Sequence, residues 1–338
     1  MKALGKLHRA PGLSLYDAPK PAPGPNDLLV RVKKAAICGT DVHIYDWDEW
    51  AQKTIPVPMT TGHEFFGIVE SVGSHVTQFK PGDRVAGEGH LICSLCRNCR
   101  CGRLHHCSHT RGWGVNCTGA FAEYFAFPAS NAILLPPEIP DTVAAILDPL
   151  GNATHTALSF DITGEDVLIT GAGPIGIMAA LIAQHIGARH VVLTDLSAYR
   201  LTLARTCGVH HTCHPSQLAA LTQKLKMTEG FAVGFEMSGS PQALAQMVEA
   251  LNHGGRIALL GILPDGAPLD WTRIIFKSLT IKGIYGREMY ETWVKMIRLL
   301  QSGLDVSGVV THTLPVDQFE QAFALIKRGE CGKVVLEF

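Results

Sequence analysis

The chain has 338 residues, 46% of them hydrophobic and 17% charged. That is apolar mass for two packed cores at ~150 residues per domain, and too much for a mainly disordered chain. Lys and Arg number 29 against 30 Asp and Glu, a formal charge of -1, so the electrostatic footprint of a nucleic-acid or anionic-membrane binder is absent. The opening MKALGKLHRAPG has no apolar run behind its basic residues, and no stretch of about 18 residues is continuously apolar. Neither a secretory signal nor a membrane span is expected, and the expected location is the cytoplasm. In that setting ten cysteines are read as metal ligands before disulfides.

The first ~150 residues are rich in Gly, Pro, His and Cys. Short β-like runs at 27–32 (DLLVRV), 67–72 (GIVESV) and 84–86, set apart by turn residues, predict an irregular β-rich unit. Cys38-Gly-Thr40-Asp-Val-His43 follows the first run, and Gly62-His63-Glu64 precedes the second. Each is weak alone, since a lone Cys is usually a core residue and a lone His an ordinary hydrogen-bonded one. Together with Asp148, in the later DPLGN segment, they supply one soft, one borderline and one or two hard ligands. That set suits a catalytic zinc, which keeps about three protein ligands and an exchangeable position.

Between them lies Cys93-x2-Cys96-x2-Cys99-x7-Cys107. Two-residue gaps let a knuckle-like turn aim successive sulfurs at one point. The expected occupant is a closed, structural zinc with no catalytic position left. Cys101 breaks the spacing and is read as a bystander, or as a substitute fourth ligand.

From about residue 164 the texture changes. Strand candidates at 167–170, 191–194, 209–213, 232–236, 256–260 and 280–284 alternate with helical stretches such as 177–186 and 241–251. This predicts a doubly wound, six-stranded parallel sheet of the Rossmann type. The first strand runs into Gly171-Ala-Gly173-Pro-Ile-Gly176 and then an apolar helix. The glycines permit a tight turn, close approach of a pyrophosphate and close helix–strand packing, with the phosphates at the helix N-terminus. Asp195 ends the next strand, 24 residues after Gly171. Its carboxylate suits a ribose 2′-hydroxyl and repels a 2′-phosphate, which favours NAD over NADP despite the nearby Arg200. A helix near 289–302 and a strand-like VVLEF tail close the chain, and the tail is expected to pair back onto the first unit. The expected division is residues 1–148 with 300–338 as a zinc-binding β-rich unit, and 149–299 as the dinucleotide-binding unit.

AICGTDVHIYDWDEWAQKTIPVPMTTGHEFFGIVESVG, GEGHLICSLCRNC, VNCTGAFAEY, DPLGNATHTALSFDITGEDVLITGAGPIGIMAA and IKGIYGREMYETW together span nearly the whole chain. With these segments it resembles the zinc-dependent medium-chain dehydrogenases, in particular the branch that acts on L-threonine. The resemblance implies a GroES-like catalytic domain beside the Rossmann domain, two Zn²⁺ per chain, NAD as cofactor and a homotetramer. It implies Cys38, His63 and Glu64 at the catalytic zinc, with Asp148 as occasional ligand or proton-relay participant. Cys93, Cys96, Cys99 and Cys107 match the structural zinc. Thr40 and His43 match a relay that carries the hydroxyl proton to solvent. His90 matches a substrate-pocket position. Ile175, Asp195, Arg200, Leu260, Gly261, Ile262, Ile284 and Tyr285 match cofactor contacts, alongside Gly171, Gly173 and Gly176.

The activity implied is oxidation of the L-threonine 3-hydroxyl to 2-amino-3-oxobutanoate with hydride transfer to NAD⁺. His90 and Asn152 are candidate partners for the substrate's charged groups. The rival readings are the same chemistry on 2,3-butanediol or a polyol, and a dinucleotide-binding protein without catalysis. Against the family pattern, Trp113 is bulky, Cys117 stands where a larger basic residue is common, and Cys101 replaces a small residue.

Overall fold

A computed structural model describes all residues, 1–338, as two compact units: Met1–Pro149 with Val310–Phe338, and Leu150–Val309.

The first unit is built on a seven-stranded sheet. Its central strand, Asp27–Ala36, pairs antiparallel with Glu64–Val72, Tyr124–Pro128 and the C-terminal Lys333–Glu337. Lys333–Glu337 in turn lies parallel to Val310–Pro315. The tail therefore closes the sheet, as its apolar run predicted. One face of the sheet buries Val30, Val32, Phe65, Phe125 and Phe127 against Phe319 and Phe323 of the amphipathic helix Phe319–Arg328. Phe125 and Phe127 stack at 5.2 Å between centroids, and Phe65 meets both rings edge-on. Trp113, unusual in the sequence, packs edge-on against Phe125 at 5.3 Å and so extends this core. Two features of this sheet position the site. Strand Asp27–Ala36 ends just before Cys38, and strand Glu64–Val72 begins at Glu64.

The second unit holds six parallel strands in the spatial order His211–Cys213, His190–Thr194, Asp166–Thr170, Phe231–Glu236, Leu251–Leu259, Thr280–Gly283. This is the 3-2-1-4-5-6 order of a dinucleotide-binding sheet, with its switch point between the strands at 166–170 and 231–236. Every residue of Asp166–Thr170 is buried, as required where helices cover both faces. The helix Pro174–His185 starts with proline at its first position and buries nearly its whole length. Strand Leu251–Leu259 starts five residues earlier than its apolar stretch suggests. The ladder to Phe231–Glu236 slips between Phe231 and Val233, and the polar Asn252–Gly255 segment is carried along in the slip.

No helix is long and apolar enough to cross a membrane.

Candidate functional site

Cys38 is the N-cap of the helix Gly39–Asp46. Its backbone N–H donates to Asp41 Oδ2 at 2.9 Å, a reciprocal cap that fixes the turn on which the thiol sits. Gly62, at φ 86°, delivers His63 and Glu64; a Cβ there would meet the Phe121 ring at 2.1 Å, so only glycine fits. One ligand atom each from Cys38, His63 and Glu64 falls within 4.8 Å of the others. Glu64 is 1% exposed and Asp41 is fully buried. His63 Nδ1, Glu64 Oε1 and Asp41 Oδ1 are buried without hydrogen-bond partners, and His63 Nδ1 lies 4.0 Å from Asp41 Oδ1. Such orphans are costly in a native interior unless something else satisfies them. Burial opposes a charge on His63, yet Cys38, Asp41 and Asp148 outweigh it and raise its pKa to about 10. The site attracts positive charge, and its donors fit a zinc ion.

The four cysteines at 93, 96, 99 and 107 also converge within 4.8 Å. Cys96 and Cys99 sulfurs lie 3.6 Å apart, and Cys93 and Cys107 sulfurs 3.5 Å. A tetrahedron of sulfurs about 2.3 Å from its centre has edges of roughly 3.8 Å, so the cage is zinc-sized. The N–H groups of Cys93 and His109 point at Cys107 Sγ (3.3 and 3.4 Å), and that of Cys96 at Cys93 Sγ (3.3 Å). Backbone N–H groups of Cys99 and Ser108 lower the Cys96 thiol to about 5, while burial and the neighbouring thiols push Cys99 to about 12. Cys101 is exposed and lies outside the group, so the fourth sulfur is that of Cys107.

In the second unit a cavity of about 520 Å³ is lined by Gly171, Gly173, Asp195, Arg200, Met237 and Ser238, among others. Gly171 has φ 95°, and a Cβ on Gly173 would enter open space, so the turn leaves room for a ligand against its backbone. A Cβ on Gly176 would stand 1.9 Å from the Gly171 carbonyl oxygen. Asp195 braces the turn: its Oδ2 accepts from the Ala172 N–H at 2.7 Å and its Oδ1 from the Ser197 N–H at 2.8 Å. Arg200 lies 3.8 Å from the same carboxylate. Ile175, Leu260, Gly261, Ile262, Ile284 and Tyr285 are not in this lining.

The residues 24–137 match the family model of the alcohol dehydrogenase GroES-like domain, and residues 174–302 that of the zinc-binding dehydrogenases. The L-threonine 3-dehydrogenase of Chromobacterium violaceum is 59% identical over 340 residues, covering 100% of each chain. The chain belongs to the zinc-binding alcohol dehydrogenase family. Among solved members of this fold, a structure described as a short chain alcohol dehydrogenase from E. coli CFT073, complexed with cofactor NADH, superposes with TM-score 0.90 at 27% identity, covering 100% of this chain and 99% of that one. The 2R,3R-butanediol dehydrogenase from Bacillus subtilis gives TM-score 0.89 at 26% identity, with the same coverage.

Other residues of this zinc-binding dehydrogenase fall as follows. Thr40 Oγ1 is 3.7 Å from Cys38 Sγ. His43, three residues on along the same helix and 62% exposed, is tied through Nδ1 to Asp48 Oδ2 at 2.5 Å. His90 Nδ1 lies 2.8 Å from Oε1 of the fully buried Glu88. Asn152 Oδ1 accepts from buried Arg287 at 3.3 Å. Asp148, in the first turn of the helix Leu147–Ala157, is 9% exposed; its ligand atom is not in the Cys38–His63–Glu64 group.

Sequence reasoning passed over Lys333, whose Nζ is 2.5 Å from Glu64 Oε2 and 2.6 Å from the Ile37 carbonyl oxygen. It also missed Asp41, Asp48, Glu88 and Glu236. The Glu236 carboxylate accepts from the N–H groups of Ser238 and Gly239 and from the hydroxyls of Thr170 and Ser238. For Asp41 and Glu236 the sequence offers one signal, a carboxylate two or three residues from the turn at Cys38 or at Ser238–Gly239; for Lys333, Asp48 and Glu88 it offers none.

Proposed function

We propose that this chain oxidises the 3-hydroxyl of L-threonine: L-threonine + NAD⁺ → 2-amino-3-oxobutanoate + NADH + H⁺. The observation that carries the dehydrogenase reading is the convergence of Cys38, His63 and Glu64 around buried donor atoms that no protein group satisfies. The choice of substrate rests on the 59% identity over the full length of an L-threonine 3-dehydrogenase.

Cys38, His63 and Glu64 would hold the catalytic zinc, Cys93, Cys96, Cys99 and Cys107 the structural one, and the cavity at Gly171, Gly173 and Asp195 the dinucleotide. When bound, zinc supplies Lewis-acid polarisation of the hydroxyl and NAD⁺ supplies the hydride acceptor. The chain's own part is to move the proton. Thr40 Oγ1, beside Cys38 Sγ, accepts it from the substrate hydroxyl while releasing its own proton toward His43, and the hydrogen on C3 would leave with its electron pair as hydride to NAD⁺. Thr40 and His43 share a helix face by their spacing. Asp48 holds His43 Nδ1, which leaves Nε2 as the end that passes the proton to water. Asp41 and Asp148 supply negative charge beside His63. Glu88 fixes the ring of His90, which serves the substrate's polar groups. A homotetramer, expected from the family resemblance, belongs to this proposal, and light scattering at four times the chain mass checks it.

The rival substrate is a diol, since the butanediol enzyme shares the fold. Steady-state rates with NAD⁺ separate the two. The reading predicts kcat/KM highest for L-threonine; a higher value for 2,3-butanediol or sorbitol overturns it.

A further inference from the structure

Lys333 is a buried lysine that neither the core nor the proposed relay accounts for. It is 5% exposed, yet its neighbours along the strand, Val334 to Leu336, are fully buried apolar residues. The C-terminal strand brings it in: Val335 pairs with Ala36, and the Ile37 N–H donates to the Val334 carbonyl at 3.0 Å. A charge so placed is costly unless it is paired and hydrogen-bonded. Its partners are Glu64 Oε2 at 2.5 Å and the Ile37 carbonyl at 2.6 Å. One oxygen of the Glu64 carboxylate, Oε2, thus forms an ion pair with an ammonium while Oε1 faces none, and neither oxygen is satisfied by a hydrogen bond of good geometry.

We propose that Lys333 is a positioning residue for the metal site, an ammonium lock on Glu64 that keeps this carboxylate a weak, displaceable ligand and so sets how fast the site exchanges its metal. The argument rests on the reading of Cys38, His63 and Glu64 as zinc ligands. A thiolate and a carboxylate balance a divalent ion. A third, fixed positive charge beside the carboxylate weakens its attraction for that ion and leaves a coordination position open for a substrate oxygen. Without the ammonium, Glu64 is an undivided ligand, and the metal is held more tightly. The metal-free protein then loses the counter-charge of a buried carboxylate, so its stability falls while that of the zinc-loaded protein is retained.

The test uses the full chain loaded with zinc and a chromophoric chelator that reports zinc release. Cys38→Ser identifies which release phase belongs to this site. Lys333→Met is expected to slow that phase on the order of tenfold, the scale of changes around a metal's ligands. It is also expected to lower the melting temperature of the metal-free form and to spare that of the zinc-loaded form. Lys333→Arg restores the original rate. Release from Lys333→Met at the original rate or faster, or equal loss of stability in both forms, overturns the proposal. Should Lys333→Met fail to fold, Lys333→Gln decides, since it keeps a polar group beside the Ile37 carbonyl but removes the charge: slower zinc release, on the order of tenfold, supports the lock, and release at the original rate or faster sinks it. If Cys38→Ser releases the same zinc as the unmodified chain, the metal-site reading itself fails, a result distinct from failure of the lock.

Discussion

Asp195→Ala separates two tasks of one carboxylate. Its oxygens accept the N–H groups of Ala172 at 2.7 Å and Ser197 at 2.8 Å. Ala172 is 1% exposed, so water cannot fully replace the lost acceptor, and a charge-assisted bond to a buried donor is worth about 1.5–3 kcal/mol. The Ser197 N–H, at the start of a helix, costs about 0.5–1 kcal/mol. The sum is on the order of 2–4 kcal/mol, roughly 4–16 °C of melting temperature for a unit of this size. Loss of the proposed ribose contact adds a binding penalty on the order of 1–3 kcal/mol, or roughly five- to 150-fold in Kd. Asp195→Asn still offers an oxygen to the Ala172 N–H and is expected to keep most of the stability but not the affinity. Differential scanning fluorimetry and an NADH fluorescence titration on the three proteins measure both effects. Equal melting temperatures for Asp195→Ala and the unmodified chain refute the bracing role; an unchanged NADH affinity refutes the ribose role.

Three further outcomes are expected. Cys96→Ala should lose about one zinc per chain and melt at lower temperature, because three sulfurs no longer close the cage; retention of two zinc ions by metal analysis contradicts this. Gly176→Ala places a Cβ 1.9 Å from the Gly171 carbonyl oxygen, so the turn must shift, at a cost of about 1–3 kcal/mol and with weakened NADH binding; an unaltered melting curve speaks against close helix–strand packing there. Burial, opposed only in part by Asp46, holds the Lys6 ammonium down at about 8, below its ordinary 10.5. Between those values the unfolded chain binds a proton that the native chain has released, so the stability linked to Lys6 rises with pH across this window. The urea midpoint of the unmodified chain should therefore rise relative to that of Lys6→Met from pH 8 to 10.5; parallel profiles rule the linkage out.

The parts visible in the sequence are those whose chemistry imposes a spacing. The glycine turn at 171–176 and the cysteine run at 93–107 each repeat one residue type at fixed intervals, and both take the shape those intervals require. The parallel strands were visible because burial on both faces makes them continuous apolar runs. Strand Leu251–Leu259 shows the limit: its first half is polar, and its extent follows from the ladder to its neighbour rather than from its own pattern. Asp41, Lys333 and Glu236 were hidden for a related reason. Each is a single charged residue whose meaning comes from a partner brought up by the fold. For Lys333 and Glu64 that partner is 269 residues away along the chain. Trp113 was visible as unusual, but only packing against Phe125 explains it.

Zinc content and L-threonine-dependent NADH formation, measured side by side on the purified chain and on Cys38→Ser, test the central claim most directly. The account predicts two zinc ions and turnover for the unmodified chain. It predicts one zinc ion, retained NADH binding and collapsed turnover for Cys38→Ser. Two zinc ions and full turnover in Cys38→Ser would place the chemistry elsewhere and contradict it.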